Sequence, residues 1–193
     1  LNSEIVNDLQ RPTNRFSLTR RDYSKTTSVN AVNIIIIQPT IISIGNQAFA
    51  KCQELSYITF PPYLYSIGDG AFYQCTLIQN ISIPPSVKTI GHQAFGECTS
   101  LTEITINPFG ITIARDAFNK CNSLHNLIIE PSVKVMKKFD LSIFNKITHI
   151  TLPPTCSKFD VNHFENALYL ELISVPCTNK VFQVRRTIPN DQS

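Results

Sequence analysis

The sequence predicts a repeat solenoid, mainly β with short helical turns, in which each repeat returns the chain to its start and adds one parallel strand to a sheet. The first observation is a word that returns every 23 residues. Residues 43–62 read SIGNQAFAKCQELSYITFPP, followed by SIGDGAFYQCTLIQNISIPP (66–85), TIGHQAFGECTSLTEITINP (89–108) and TIARDAFNKCNSLHNLIIEP (112–131). The word decays but keeps its register through VMKKFDLSIFNKITHITLPP (135–154) and KFDVNHFENALYLELISVPC (158–177). Self-similarity at a period of about 20–50 residues marks stacked repeats. The second observation is a period-two alternation of apolar and polar residues inside each word, the pattern of a half-exposed strand. The third is a proline at a recurring phase after that alternation.

The strand stretch places Ile58 and Phe60 inward and Tyr57 and Thr59 outward. It recurs at Ile81/Ile83, Ile104/Ile106, Leu127/Ile129, Ile150/Leu152 and Ile173/Val175, with Ile35/Ile37 before them, giving about seven strands. A connection this long lets successive strands lie parallel. Pro39, Pro61, Pro84, Pro108, Pro131, Pro153 and Pro176 stop each strand, because proline has no N–H for the ladder. A short apolar pair follows, such as Leu64/Ile67 or Val87/Ile90, and then Gly45, Gly68 or Gly91, expected at a sharp turn that needs a permissive backbone. The segment NQAFAKC and its copies fits one helical turn, too short to be stable alone.

Two inward columns fill the core. One runs Phe49, Phe72, Phe95, Phe118, Leu141, Phe164, and its neighbour runs Cys52, Cys75, Cys98, Cys121, Phe144, Ala167. A position that accepts Cys, Phe or Ala in equivalent copies wants an apolar filler, and free cysteine is among the most buried residue types. A zinc site needs four converging ligands, whereas a column of thiols about 4.8 Å apart is a line that cannot enclose an ion. Disulfides between adjacent rungs meet the distance requirement, but parallel Cβ vectors suit the bond poorly. Cys156 and Cys177 stand outside the column, and a capping disulfide between them stays open.

The solenoid is expected over 31–177, with about six to seven repeats, between an N-terminal arm (1–30) and a C-terminal tail (178–193). The net charge of +3 sits at the ends. In 1–30, five basic residues face three acidic ones; in 177–193, three face one; between them nine face ten. A nucleic-acid binder shows a basic face instead, so nucleic acid is not an expected partner. Val29 and Val32 occupy the phases of Cys52 and Leu55, so part of 21–33 is a candidate cap for the first rung. No apolar run reaches the roughly 18–20 residues of a membrane span. The chain opens on Leu1, so a missing leader is silent on secretion. His92, His125, His149 and His163 form no column, and no phosphate loop, nucleophile elbow or metal-binding His pair appears. No enzyme, cofactor or metal is expected.

The unit with Ile-Gly, Ala-Phe, Cys, Leu and Ile-x-Ile-Pro resembles the leucine-rich repeat of BspA-like surface antigens, closely over 40–135 and loosely over 136–177. The late copies depart from it where glycine gives way to Ala114, Lys137 and Asp160. The resemblance implies a right-handed curved solenoid with a concave parallel β-sheet. It also implies a non-enzymatic protein-binding role, often adhesion to host extracellular matrix or cell-surface proteins, and a secreted or cell-surface location. The alternative is a cytoplasmic scaffold or regulatory subunit, since buried thiols suit a reducing compartment as well.

The outward strand positions separate scaffold from candidate site. One column is small or β-branched throughout: Ile36, Thr59, Ser82, Thr105, Ile128, Thr151, Ser174. The other runs Ile34, Tyr57, Asn80, Glu103, Asn126, His149, Leu172, and its chemistry changes at every rung. Core columns repeat because each rung has the same packing problem, so a column that varies is free to serve a partner or is merely tolerated on a solvated face. Tyr57, Asn80, Glu103, Asn126 and His149 are the candidate partner-binding residues. The sequon Asn80-Ile81-Ser82 falls in the same face.

Overall fold

The computed structural model describes residues 17–18, 33–107, 109–133, 143–144, 146–156, 164, 168–175 and 180–183. It is a parallel-strand β-solenoid with almost no helix. The predicted strands, the long ladder, pair in two parallel groups: β2 (Ile34–Ile36) with β4 (Tyr57–Thr59), and, in a separate sheet, β6 (Asn80–Ser82), β8 (Glu103–Ile106), β10 (Asn126–Ile129), β11 (His149–Thr151) and β12 (Leu172–Val175). β2 pairs with β4, and β6 through β12 pair in chain order, all parallel and each with the 23-residue offset of the repeat. Their inward apolar residues are buried, apart from Phe60, which is partly buried with its ring edge-on to Phe72 at 5.7 Å.

A second ladder runs along the short apolar pairs, which the sequence pattern did not mark as strands. β3 (Ser43–Ile44), β5 (Ser66–Ile67), β7 (Thr89–Ile90) and β9 (Thr112–Ile113) pair in parallel. β1 (Ser17–Leu18), within the expected arm, adds to β3, and β13 (Lys180–Gln183), within the expected tail, pairs antiparallel with β12. Between the ladders, turns close with bonds such as Leu64 N–H to Pro61 O and Val87 N–H to Pro84 O, at 3.1 and 3.0 Å. Pro108 and Pro176 lie outside the described residues, as do Val29 and Val32 of the candidate cap, Leu141, Ala167, Lys137, Asp160, His163 and Cys177.

The segment expected as a helical turn has a different construction. Bonds from N–H to the carbonyl three residues back, such as Cys52 to Phe49, alternate with bonds to the next rung. Gln47, Phe49 and Lys51 donate to Asp69, Ala71 and Tyr73, at 2.8, 2.7 and 2.6 Å. Along these segments non-glycine residues take the left-handed region: Gln47 and Gln93 at one phase, and Lys51, Gln74, Glu97 and Lys120 at another. Gly70, at φ +58°, shares the first phase. Gly68 and Gly91, expected for their turn conformation, serve instead for close approach. A Cβ on Gly91 would lie 2.7 Å from the Asp69 nitrogen and 2.8 Å from the Gly68 carbonyl carbon, and Gly68 faces the rung before it in the same way.

The core is one continuous apolar stack, with no buried polar or charged residue among the described residues. Phe49, Phe72, Phe95 and Phe118 stack face to face at 5.1–5.3 Å and 5–9°. The cysteine column is buried as expected. Cys75, Cys98 and Cys121 are free thiols that donate to the carbonyls of Phe49, Phe72 and Phe95, at 3.1, 3.2 and 3.0 Å. Burial, before the neighbouring Cys52, pushes the Cys75 thiol far above the ordinary range. The Cys98 thiol is raised first by its hydrogen bond with Cys121 and then by burial. Cys156 is buried as well.

Candidate functional site

Strand pairing turns the varying column into a row. Ile34 stands beside Tyr57, and Asn80, Glu103, Asn126, His149 and Leu172 follow one another across adjacent strands. Each precedes a buried inward residue (Ile58, Ile81, Ile104, Leu127, Ile150), so the pleat points it away from the core. Tyr57 is 54% exposed and Asn80 is exposed, while Glu103, Asn126 and His149 are half-buried.

The polar half of the row is internally bonded. Asn126 Nδ2 donates to Glu103 Oε2 at 2.7 Å, and the Thr148 hydroxyl lies 2.7 Å from His149 Nδ1. No pattern in the sequence points to this, because two adjacent rungs with different polar side chains look merely variable. Glu103 and His149 each neighbour Asn126 and so stand two rungs apart. The other outward column adds Ile36, 49% exposed, beside the Tyr57 end.

Two further surface features were not singled out by pattern. Ile42, Tyr63 and Tyr65 are exposed where the chain enters the second ladder. A polar groove of about 760 Å³ lies along the turn segments, lined among others by Asn46, Asp69, His92 and Asp116. There the side chains serve the fold: the Asp69 and His92 N–H groups donate to Asn46 Oδ1 and Asp69 Oδ1, at 2.9 and 2.8 Å, and His92 Nδ1 meets Asp116 Oδ1 at 2.8 Å. The 23-residue spacing of Asn46, Asp69 and His92 was the available signal. Among the described residues no cluster of three His, Cys, Asp or Glu side chains could hold a metal ion, and no helix is long and apolar enough to cross a membrane.

The repeat, its ladders and its inward columns match the family model for the BspA type leucine rich repeat region, in six copies over residues 23–108 and 66–186. The chain belongs to this leucine-rich-repeat family. It is similar to a leucine-rich repeat protein from Bacteroides ovatus, with 28% identity, a TM-score of 0.50, and coverage of 75% of this chain and 37% of that one. It is also similar to a leucine rich cell surface protein from Faecalibacterium prausnitzii, with 28% identity, a TM-score of 0.53, and coverage of 71% and 35%. The leucine-rich-repeat protein of T. pallidum, at 21% identity and a TM-score of 0.50 over 70% of this chain and 69% of that one, shares the fold. The chain thus spans little more than a third of the Bacteroides and Faecalibacterium proteins. No curated protein matches. As a leucine-rich repeat, the chain is a scaffold of the kind that serves protein interaction.

Proposed function

We propose that this chain is a non-enzymatic protein-binding module that engages its partner through the row Tyr57, Asn80, Glu103, Asn126 and His149. The carrying observation is that Ile34 with Tyr57, and Asn80 through Leu172, stand in register and point away from the core, yet change chemistry at each rung of an otherwise repeating scaffold. From Ile34 to Leu172 it has seven members, a length of roughly 29 Å at about 4.8 Å per strand. That suits a standard interface of about 800 Å² per partner better than a small ligand. Tyr57, exposed beside Ile36, is the anchor, since Tyr is enriched at interface hot spots. The bonded Glu103–Asn126 pair supplies a preorganised polar contact.

The partner class is a host extracellular-matrix or cell-surface protein, and the location is the cell surface or outside it. Support comes from the surface-antigen resemblance and from the Faecalibacterium relative, which is described as a cell surface protein. The test screens the chain against matrix proteins and cell lysate, then measures alanine variants at the five positions, each checked for an unchanged unfolding midpoint. Loss of affinity at Tyr57 and at two or more of the others is expected. Full affinity in all five would move the interface to the turn side or the ends, and capture of cytoplasmic proteins only would favour the intracellular scaffold.

A further inference from the structure

We propose that Phe60 holds open a seam between β4 and β6, and that this seam accepts an extended segment of the partner polypeptide as an added strand. The proposal rests on the protein-binding reading above and names the form in which the partner arrives.

At every other junction of the long ladder the backbone passes bonds from rung to rung. Tyr57 N–H donates to Asn33 O, Glu103 to Gln79 O, Asn126 to Thr102 O, His149 to His125 O and Leu172 to Thr148 O, at 3.0–3.3 Å. Further along, Ile37 N–H donates to Thr59 O, Ile83 to Thr105 O and Leu152 to Ser174 O. Between β4 and β6 both kinds are missing. Among the described residues, Asn80 N–H makes no bond to Ser56 O, nor Phe60 N–H to Ser82 O, and the two strands belong to separate sheets. The break is confined to this face. Behind it the same two repeats stay joined through β3 and β5, and through Gln47, Phe49 and Lys51 N–H to Asp69, Ala71 and Tyr73 O.

Phe60 supplies the physical cause. Its phase carries Ile37, Ile83, Ile106, Ile129, Leu152 and Val175 on the other rungs, all buried. Here a larger ring takes that place, partly exposed and edge-on to Phe72 at 5.7 Å, where an aliphatic chain would let the strands meet.

The chemistry selects a polypeptide backbone. In a parallel strand, alternate residues send both N–H and C=O to the same side. Tyr57 and Thr59 face β2, so Ile58 faces the seam from β4, and Asn80 and Ser82 face it from β6. Ile58 is buried, and buried backbone groups are almost always hydrogen-bonded in native chains. Two facing rows of donors and acceptors at strand spacing are satisfied together by an extended chain, the recognition mode of strand addition. A small ligand offers no such repeat, and a chain lying across the face would leave these groups unmet. Successive residues of an added strand would turn one apolar side chain inward beside Phe60 and the next outward between Tyr57 and Asn80.

The test uses the full chain and, as probe, a lysine-tagged peptide of its own β8 sequence, LTEITIN (residues 101–107), which already pairs with β6 within the fold. In the free chain the amides of Ile58, Phe60, Asn80 and Ser82 should exchange faster than those of Ile104 and Leu127, and the peptide should slow them roughly tenfold or more. Affinity by calorimetric titration should fall roughly tenfold or more in Phe60→Ile, which lets β4 and β6 pair, and for a peptide N-methylated at alternate residues. Unfolding midpoints check the fold of Phe60→Ile, and the N-methylated peptide carries the test alone if that variant is destabilised. The inference is overturned if the seam amides are as protected as the others in the free chain, or if the peptide leaves their exchange unchanged. It is equally overturned if the N-methylated peptide, or a stable Phe60→Ile chain, binds as the parent does. Glu103→Ala and His149→Ala judge the row separately. Full affinity for an identified partner in both, with loss in Phe60→Ile, strikes the row and keeps the seam, and the reverse strikes the seam alone.

Discussion

The rungs between residues 43 and 131 and those from 143 to 175 keep the same strand register on different core chemistry. In the first group the Phe49–Phe118 rings lie parallel, within 5–9° of one another. At the junction Phe118 meets Phe144, still at 5.2 Å but tilted by 40°. Phe144 occupies the phase of Cys121, not that of Phe118, so a ring from the neighbouring column continues the stack. Meanwhile Asn126 remains opposite His149, and Leu127 opposite Ile150. Register is therefore held by the backbone ladder and the inward Ile/Leu residues, while the layer behind them accepts any arrangement that fills the volume. A repeat can lose its signature there and still stack.

The largest effect should come from the aromatic stack. Phe95→Ala removes a ring with parallel neighbours on both sides and should cost about 3–5 kcal/mol of unfolding free energy. Phe144→Ala, at the tilted junction, should fall at the lower end of that range. Denaturant midpoints of the two variants check this. Equal losses would mean that the tilted junction packs as tightly as the regular stack.

Glycine marks the next difference. Gly91→Ala forces a Cβ against the backbone of the rung before and should cost about 1–3 kcal/mol. The same phase already holds Ala114 one rung later, half-buried and still bonded to Ile90 O at 2.9 Å. Ala114→Gly should cost about 1 kcal/mol, through chain entropy and the loss of a partly buried methyl. A smaller change of opposite sign is expected at the left-handed positions. Gln93, at φ 49°, shares its phase with Gly70, at φ +58°, so Gln93→Gly should raise stability by about 0.5–1 kcal/mol, whereas Gly70→Ala should lower it. Thermal midpoints would show the opposite signs. A destabilised Gln93→Gly would mean that the Gln93 side chain contributes more than the strain it carries.

These positions also mark what could be read from sequence. The long ladder was legible because each strand spans several residues and alternates, and every rung solves the same burial problem at Ile81, Ile104, Leu127 and Ile150. The second ladder was not, since two residues such as Ser66–Ile67 are too few to show a period and become a strand only through neighbouring rungs. Left-handed Gln74 and Glu97 escaped notice for a related reason. Their conformation is imposed by bonds to the next rung, such as Glu97 N–H to Asn119 O at 2.8 Å, and not by local preference. Of the candidate site, the row was legible as a column. The Glu103–Asn126 bond was not, because it depends on side-chain directions between rungs.

The smallest predicted effect separates the two regions by charge. Glu97 accepts from Lys120 Nζ at 2.6 Å and from Gln74 Nε2 at 2.8 Å, and these two bonds hold its carboxyl at about 2, below its ordinary 4.5. One rung beyond Lys120 the same phase carries Ile143, partly buried against the core, so the ion pair belongs to the regular rungs. A carboxylate whose pKa is lowered on folding stabilises the fold above its unfolded value. The contribution is lost as pH falls from about 4.5 through about 2. Lys120, raised by the same partner, is charged throughout that window. Because Lys120 is exposed and Glu97 only half-buried, the effect is small and screened by salt. Unfolding midpoints of the parent and Lys120→Met, followed from pH 6 to pH 2 at low salt, should differ most above pH 5 and converge near pH 2. Carboxylates common to both chains cancel in the difference. A gap that persists unchanged to pH 2 would show that Lys120 acts through the packing of its methylenes, and that charge does not distinguish these rungs from those that follow.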